Sequence, residues 1–151
     1  MKIYLHVFAF VALITACCAL EARADGVYLG GWSKHVNQKA WERSGYEINQ
    51  QHDIIIIERD GWEMGHYTNT HFDKTWLAGR YFELFALDDI QLGVHVGASY
   101  GYKFCREIKP DATRSVFCPV IMPELRYTRW RVQPALLAIS DGVAISFRVD
   151  I

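Results

Sequence analysis

Little in this chain of 151 residues points to a helical or a nucleic-acid-binding protein. No stretch beyond the first two dozen residues carries apolar positions at helical spacing, and there is no low-complexity tract, internal repeat or composition break that would mark a second domain. Charge of one sign is missing as well. Sixteen basic and seventeen acidic residues are interspersed, which leaves no basic surface for a phosphate backbone. Cysteine is scarce, four in all and none in a C-x-x-C pair, so a structural zinc site is not expected. His66 and His71 are not spaced to share a metal face on a strand, and His95 reads as hydrogen-bonded filling. No cofactor and no metal are therefore expected.

What is present begins with an apolar run from Ile3 to Leu20, preceded by Lys2 and followed by Ala22-Arg23-Ala24. This is the pattern of a signal peptide. Cleavage after Ala24 makes residues 1–24 the leader, Asp25 the first mature residue, and 25–151 a chain the size of one domain. Ile14-Thr15-Ala16-Cys17 also resembles a lipobox, which would instead place a lipid on Cys17. Either way the chain is exported. In an exported protein Cys105 and Cys118, on either side of a polar stretch with Lys109-Pro110-Asp111, read as a disulfide. Closing such a loop is worth about 3 kcal/mol through the unfolded state.

The rest reads as strands. From Ile90 to Ser99 apolar residues take every second place, and at the end Val143, Ile145, Phe147, Val149 and Ile151 share one face while Ala144, Ser146, Arg148 and Asp150 share the other. Val27 to His35, Ile54 to Glu58, Trp62 to Asn69, Trp76 to Phe85, Val120 to Tyr127 and Val132 to Ile139 bring the number to eight. Short connections at Glu58 to Gly61, Leu87 to Asp89 and Thr128 to Arg131 alternate with long ones at Val36 to Gln51 and Tyr102 to Phe117. That is the rhythm of an all-β, antiparallel, up-and-down transmembrane barrel.

A soluble lipocalin-like barrel would alternate too, with its apolar face inward. Three features favour the membrane: an apolar last strand, a small and polar set at Gln91, Gly93, His95, Gly97 and Ser99, and aromatics near the strand ends. Trp62, Phe85 and Trp130 fall towards the short turns, and Trp76, Tyr100 and Tyr102 towards the long loops. A monomer in a bacterial-type outer membrane is the expectation.

The order of several segments carries a resemblance. These are Trp32-Ser33-Lys34-His35, then Gly61 to Tyr67 with Asn69-Thr70, then Leu77-Ala78-Gly79-Arg80-Tyr81-Phe82, Leu92-Gly93-Val94 and Pro119 to Pro123. In them the chain resembles the PagP family, outer-membrane acyltransferases that move a palmitoyl chain from a phospholipid to lipid A. The resemblance implies membrane lipids as partners and a lateral opening where prolines interrupt pairing, here at Pro119, Pro123 and Pro134. It also implies a catalytic His, Asp and Ser, which fall on His35, Asn69 and Thr70. Asp and Ser have become Asn and Thr. With short turns in the periplasm, all three reach the outer rim. Thr70 could then supply the hydroxyl, His35 the base and Asn69 an oxyanion donor. As loop residues, the same Asn and Thr would simply bond their own backbone.

Two functional classes are compatible with these features. In the first the protein is an acyltransferase with an apolar outer lumen, towards which the run Ile54 to Ile57 points by breaking alternation. In the second it is a non-catalytic barrel that displays the stapled loop to a cell-surface ligand. Its lumen would be filled by Glu63, Arg80, Glu83, Gln91, Arg148 and Asp150.

Overall fold

The computed structural model describes residues 25–43, 45, 47–101, 117–139 and 142–151. The expected leader with Cys17, and the Cys105 half of the expected disulfide, lie outside the described residues.

All eight expected strands form, with ends within a few residues of those expected from alternation. They are β1 (Gly26–His35), β2 (Ile55–Arg59), β3 (Trp62–Thr68), β4 (Lys74–Leu87), β5 (Ile90–Tyr100), β6 (Phe117–Tyr127), β7 (Val132–Ile139) and β8 (Gly142–Asp150). Each pairs antiparallel with the next and β8 returns to β1, so the sheet closes into a barrel. A short helix, α1 (Gln38–Arg43), sits in the first long connection.

The short connections have a local cause. Asp60 and Gly61 lie at φ 50° and 75°, the left-handed pair that a two-residue hairpin needs, and Asp88 at φ 50° opens the next short turn. Aspartate and glycine tolerate that region, so the hairpin registers are set by residue type.

Inside and outside are inverted relative to a water-soluble protein. Glu58, Glu63, His95, Glu124, Arg126 and Arg148 are buried, whereas Trp62, Met64, Phe85, Ile121, Val132 and Ile145 are exposed. The exposed aromatics include the expected Trp76 and Tyr100 near one end and Trp62, Phe85 and Trp130 near the other.

The buried charges form a plug across the lumen. Both ring nitrogens of His95 face carboxylates, Nδ1 at 2.9 Å from Glu63 and Nε2 at 3.1 Å from Glu124. Carboxylates only accept, so the ring donates from both sides, as an imidazolium does. Arg126 donates to Glu124 at 2.6 Å and to the Tyr28 hydroxyl, and lies 4.5 Å from the ring centre of Tyr81. Arg148 reaches Glu58 at 3.2 Å and also pairs with Asp150. Among the buried groups, Glu58, Glu63 and Glu124 thus meet Arg126, Arg148 and His95, three of each sign, while the half-exposed Asp150 adds a further carboxylate beside Arg148. Glu83 and Gln91, expected in the lumen, do pair at 2.6 Å. Arg80 does not belong there: it shares the parity of exposed Trp76, opposite to buried Leu77 and Tyr81, and its guanidinium lies 5.4 Å from the Trp62 ring.

Two irregularities shape the upper barrel. The register of β1 against β8 shifts between Leu29 and Trp32, where Gly30 takes φ 61°. This bulge inverts the inward parity, from Gly26 and Tyr28 below it to Gly31, Ser33 and His35 above. The second lies between β6 and β7, where pairing is confined to Glu124 with Leu137, Leu125 with Leu136, and Arg126 with Ala135. On its other edge β6 is paired along its whole length to β5. Pro119 and Pro123 have the same parity, so both missing donors fall on one edge, and the break lies on the β7 side.

Candidate functional site

Above the plug the lumen changes character. A cavity of about 440 Å³ is walled mainly by apolar side chains, among them Ile54, Ile56, Leu77, Val120 and Leu137, with Tyr28 and His95 at its floor. The isoleucine run supplies both surfaces: Ile54 and Ile56 face the cavity, while Ile55 and Ile57 are exposed outside. Its wall includes Pro119 to Met122 of β6 and Leu137 to Ile139 of β7, so the cavity lies directly behind the unpaired segment of the sheet.

At the other end of the cavity stand His52, Asn69 and Thr70, all buried. The Asn69 carboxamide is committed to its own turn. Its oxygen accepts from the backbone N–H of His71 at 2.8 Å and of Asp73 at 3.1 Å, and its nitrogen donates to Thr75 Oγ1 at 2.9 Å. This is the Asx pattern that asparagine provides in tight turns, and it fixes the chain from Thr68 to Lys74. Thr70 rides on that turn and faces the cavity.

The first long connection is clasped to this turn. Asn49 donates its side-chain amide to the Asn69 carbonyl at 3.1 Å and its backbone N–H to the Thr70 carbonyl at 2.9 Å. Farther along, the His52 N–H bonds the Gly31 carbonyl at 2.8 Å and the Ser33 N–H bonds the Gln50 carbonyl at 2.9 Å. His52 is thereby held between β1 and the end of β3.

There its ring bridges two groups. Nδ1 is 2.6 Å from the carbonyl oxygen of Thr68, and Nε2 is 2.7 Å from Ser33 Oγ. A carbonyl cannot donate, so Nδ1 carries the proton and Nε2 presents its lone pair to the Ser33 hydroxyl. Burial, reinforced by the neighbouring His35, holds this imidazole below its ordinary pKa, while the Thr68 carbonyl and Asp53 oppose the effect less strongly. The result is a neutral base that lines an apolar cavity and is hydrogen-bonded to the Ser33 hydroxyl.

Of the residues expected from sequence, Asn69 and Thr70 stand together at the cavity, and His35 is buried at the end of β1, two positions from Ser33. The Ser33 and His52 pair is not among them. A signal exists for half of it: His52, Ile54, Ile56 and Glu58 have the same parity, so the histidine continues the inward face of β2. Ser33 has no such signal, because the bulge at Gly30 changes its side. No protein-family model, curated protein or solved structure matches this chain.

Proposed function

We propose that the protein is an outer-membrane barrel that takes an acyl chain from a phospholipid and transfers it at its outer rim, with lipid A as the acceptor that the PagP resemblance implies. The observation that carries this reading is the division of the lumen: a lower half of paired charges beneath an apolar cavity whose wall borders an unpaired seam. A lumen serving only to hold the barrel closed would have no use for such a cavity. The exposed apolar belt with aromatics at both ends supports residence in a bilayer.

The break between β6 and β7 gives an acyl chain a path from the membrane, and the plug stops it from passing through. Its carbonyl then lies at the rim that carries His35, Asn69 and Thr70. Asn69 holds the turn, and Thr70 faces the cavity.

The test is expression of the full chain in cells whose own lipid A acyltransferase is deleted, followed by mass analysis of lipid A and of lysophospholipid. A new acylated lipid A, lost when Ala144→Phe fills the cavity from β8, is the expected result. Unchanged lipids with folded barrel in the outer membrane would refute the acyltransferase reading and favour the displayed loop.

A further inference from the structure

We infer that Ser33 is an acyl-accepting nucleophile and His52 its general base, which together form a covalent catalytic site beside the apolar cavity that His52 lines. The inference rests on the acyl-transfer reading for its lipid substrate but not for its chemistry, which the geometry supplies. Three groups are aligned: the Ser33 hydroxyl, the His52 ring 2.7 Å away, and the Thr68 carbonyl 2.6 Å beyond it. This is the order nucleophile, base, orienting group that activates a hydroxyl. A backbone carbonyl here takes the place of the usual carboxylate. It fixes the tautomer and its dipole favours the imidazolium that forms during attack, with less charge than a carboxylate supplies.

The surroundings single out this pair. Both side chains are buried, and His52 lines the cavity. Three local features converge on the alignment: the Gly30 bulge turns Ser33 inward, the Asn49 clasp seats His52, and the Asn69 turn fixes the chain at Thr68. Asn69 is thus a positioning residue. Thr70, the hydroxyl suggested by resemblance, comes next on the same turn.

Atoms and electrons balance through two half-reactions. Ser33 Oγ bonds the ester carbonyl carbon as its proton passes to His52 Nε2. The tetrahedral adduct collapses, the glycerol oxygen departs and takes that proton, and the acyl group remains on Ser33 as an ester. A hydroxyl of the acceptor lipid, or water, then attacks the acyl carbon while Nε2 accepts its proton. Ser33 Oγ leaves and recovers the proton from Nε2, so no oxidant or further reactant is needed.

The experiment uses the full chain folded in detergent and a fluorophosphonate bearing a long alkyl chain, which phosphonylates activated serine hydroxyls without any lipid substrate. The expected result is a single adduct that peptide mass analysis places on Ser33, absent in Ser33→Ala and formed about a hundredfold or more slowly in His52→Gln. Folding of each variant is checked by heat-dependent gel mobility. If those variants do not fold, Ser33→Cys serves instead: its thiol should alkylate faster at neutral pH with His52 present than in Ser33→Cys with His52→Phe. An adduct on Thr70, no adduct on folded protein, or a Ser33→Cys rate indifferent to His52 would overturn the assignment. The two levels separate cleanly. A Ser33 adduct without altered cellular lipids refutes the acyltransferase reading and keeps the dyad, whereas full lipid acylation by folded Ser33→Ala does the reverse.

Discussion

Removal of one cation from the plug should cost far more than removal of an ion pair. Arg126 is almost fully buried, donates to Glu124 at 2.6 Å through Nη2 and 2.7 Å through Nε, and lies over the Tyr81 ring. In Arg126→Met, Glu124 retains His95, which is shared with Glu63, and the Tyr28 hydroxyl at 3.4 Å, and the buried set carries one uncompensated negative charge. Breaking a buried pair in this way costs about 3–5 kcal/mol. Adding Glu124→Leu removes the orphan: Glu63 keeps His95, Glu58 keeps Arg148, and the buried charges pair one to one again. What remains is the lost cation–π contact, about 1–2 kcal/mol, and the acceptor that Tyr28 and His95 Nε2 lose with Glu124, about 1 kcal/mol more. The double variant should therefore be more stable than Arg126→Met alone by about 1–2 kcal/mol. Urea unfolding of the barrel in lipid vesicles, monitored by tryptophan fluorescence and gel mobility, measures this. If Glu124→Leu gives no rescue, the charges are solvated by water in the lumen and no dry plug exists.

Gly93 faces the lumen where a Cβ would come within 2.1 Å of the Tyr81 hydroxyl, so Gly93→Ala must displace a ring packed against Arg126 and His95. A loss of about 1–3 kcal/mol in the same unfolding assay is expected, and an unchanged midpoint would count against that packing. The pH dependence of fluorophosphonate labelling should track His52. The base acts when neutral, and burial depresses its pKa, so labelling should persist below the ordinary histidine midpoint of about 6.5 and fall only as pH drops through the lowered value. By the same sign, the stability linked to this ring is present above the unfolded value and lost as pH falls. A labelling midpoint above the ordinary value would contradict the buried environment. If Cys105 and Cys118 are joined as we propose, thiol alkylation of exported protein will need prior reduction, and Cys118→Ser should lose about 3 kcal/mol. Alkylation of unreduced, unfolded protein at both positions would refute the pairing.

The barrel is legible in the sequence because period-two alternation survives in almost every strand and because Asp60-Gly61 and Asp88-Asp89 announce their turns. The site is legible only in part. Asn69 and Thr70 stand out as a polar pair at the end of a strand, but nothing in the sequence reveals that the Asn69 carboxamide is spent on a turn. Ser33 escapes because one bulge inverts parity, and bulges depend on how a strand meets its neighbours. The luminal set expected from sequence omits Glu58, Glu124 and Arg126 and includes Arg80, which lies outside. A formal charge in a strand says nothing of its side until parity is counted from a buried anchor.

The plug and the hydroxyl–imidazole pair put the same kinds of group to opposite uses. His95 has an acceptor at each nitrogen, so neither has a lone pair to offer, and a ring so clamped can hold a barrel together but cannot remove a proton. His52 has one carbonyl and one hydroxyl as partners, which leaves Nε2 basic and aimed at an oxygen that can lose its proton. The distinction also fits their depth. An acyl chain lying in the cavity between them would keep its tail against Tyr28 and the plug and its ester near the rim, so of the two histidines only His52 would meet a carbonyl. On the proposed reading, the two histidines should respond oppositely to the same substitution: His95→Gln should lower stability and spare labelling of the remaining folded protein, whereas His52→Gln should slow labelling about a hundredfold or more with a smaller loss of stability. If both variants lost stability and labelling alike, the lumen would be one cooperative network, and the separation into plug and catalytic rim would fall.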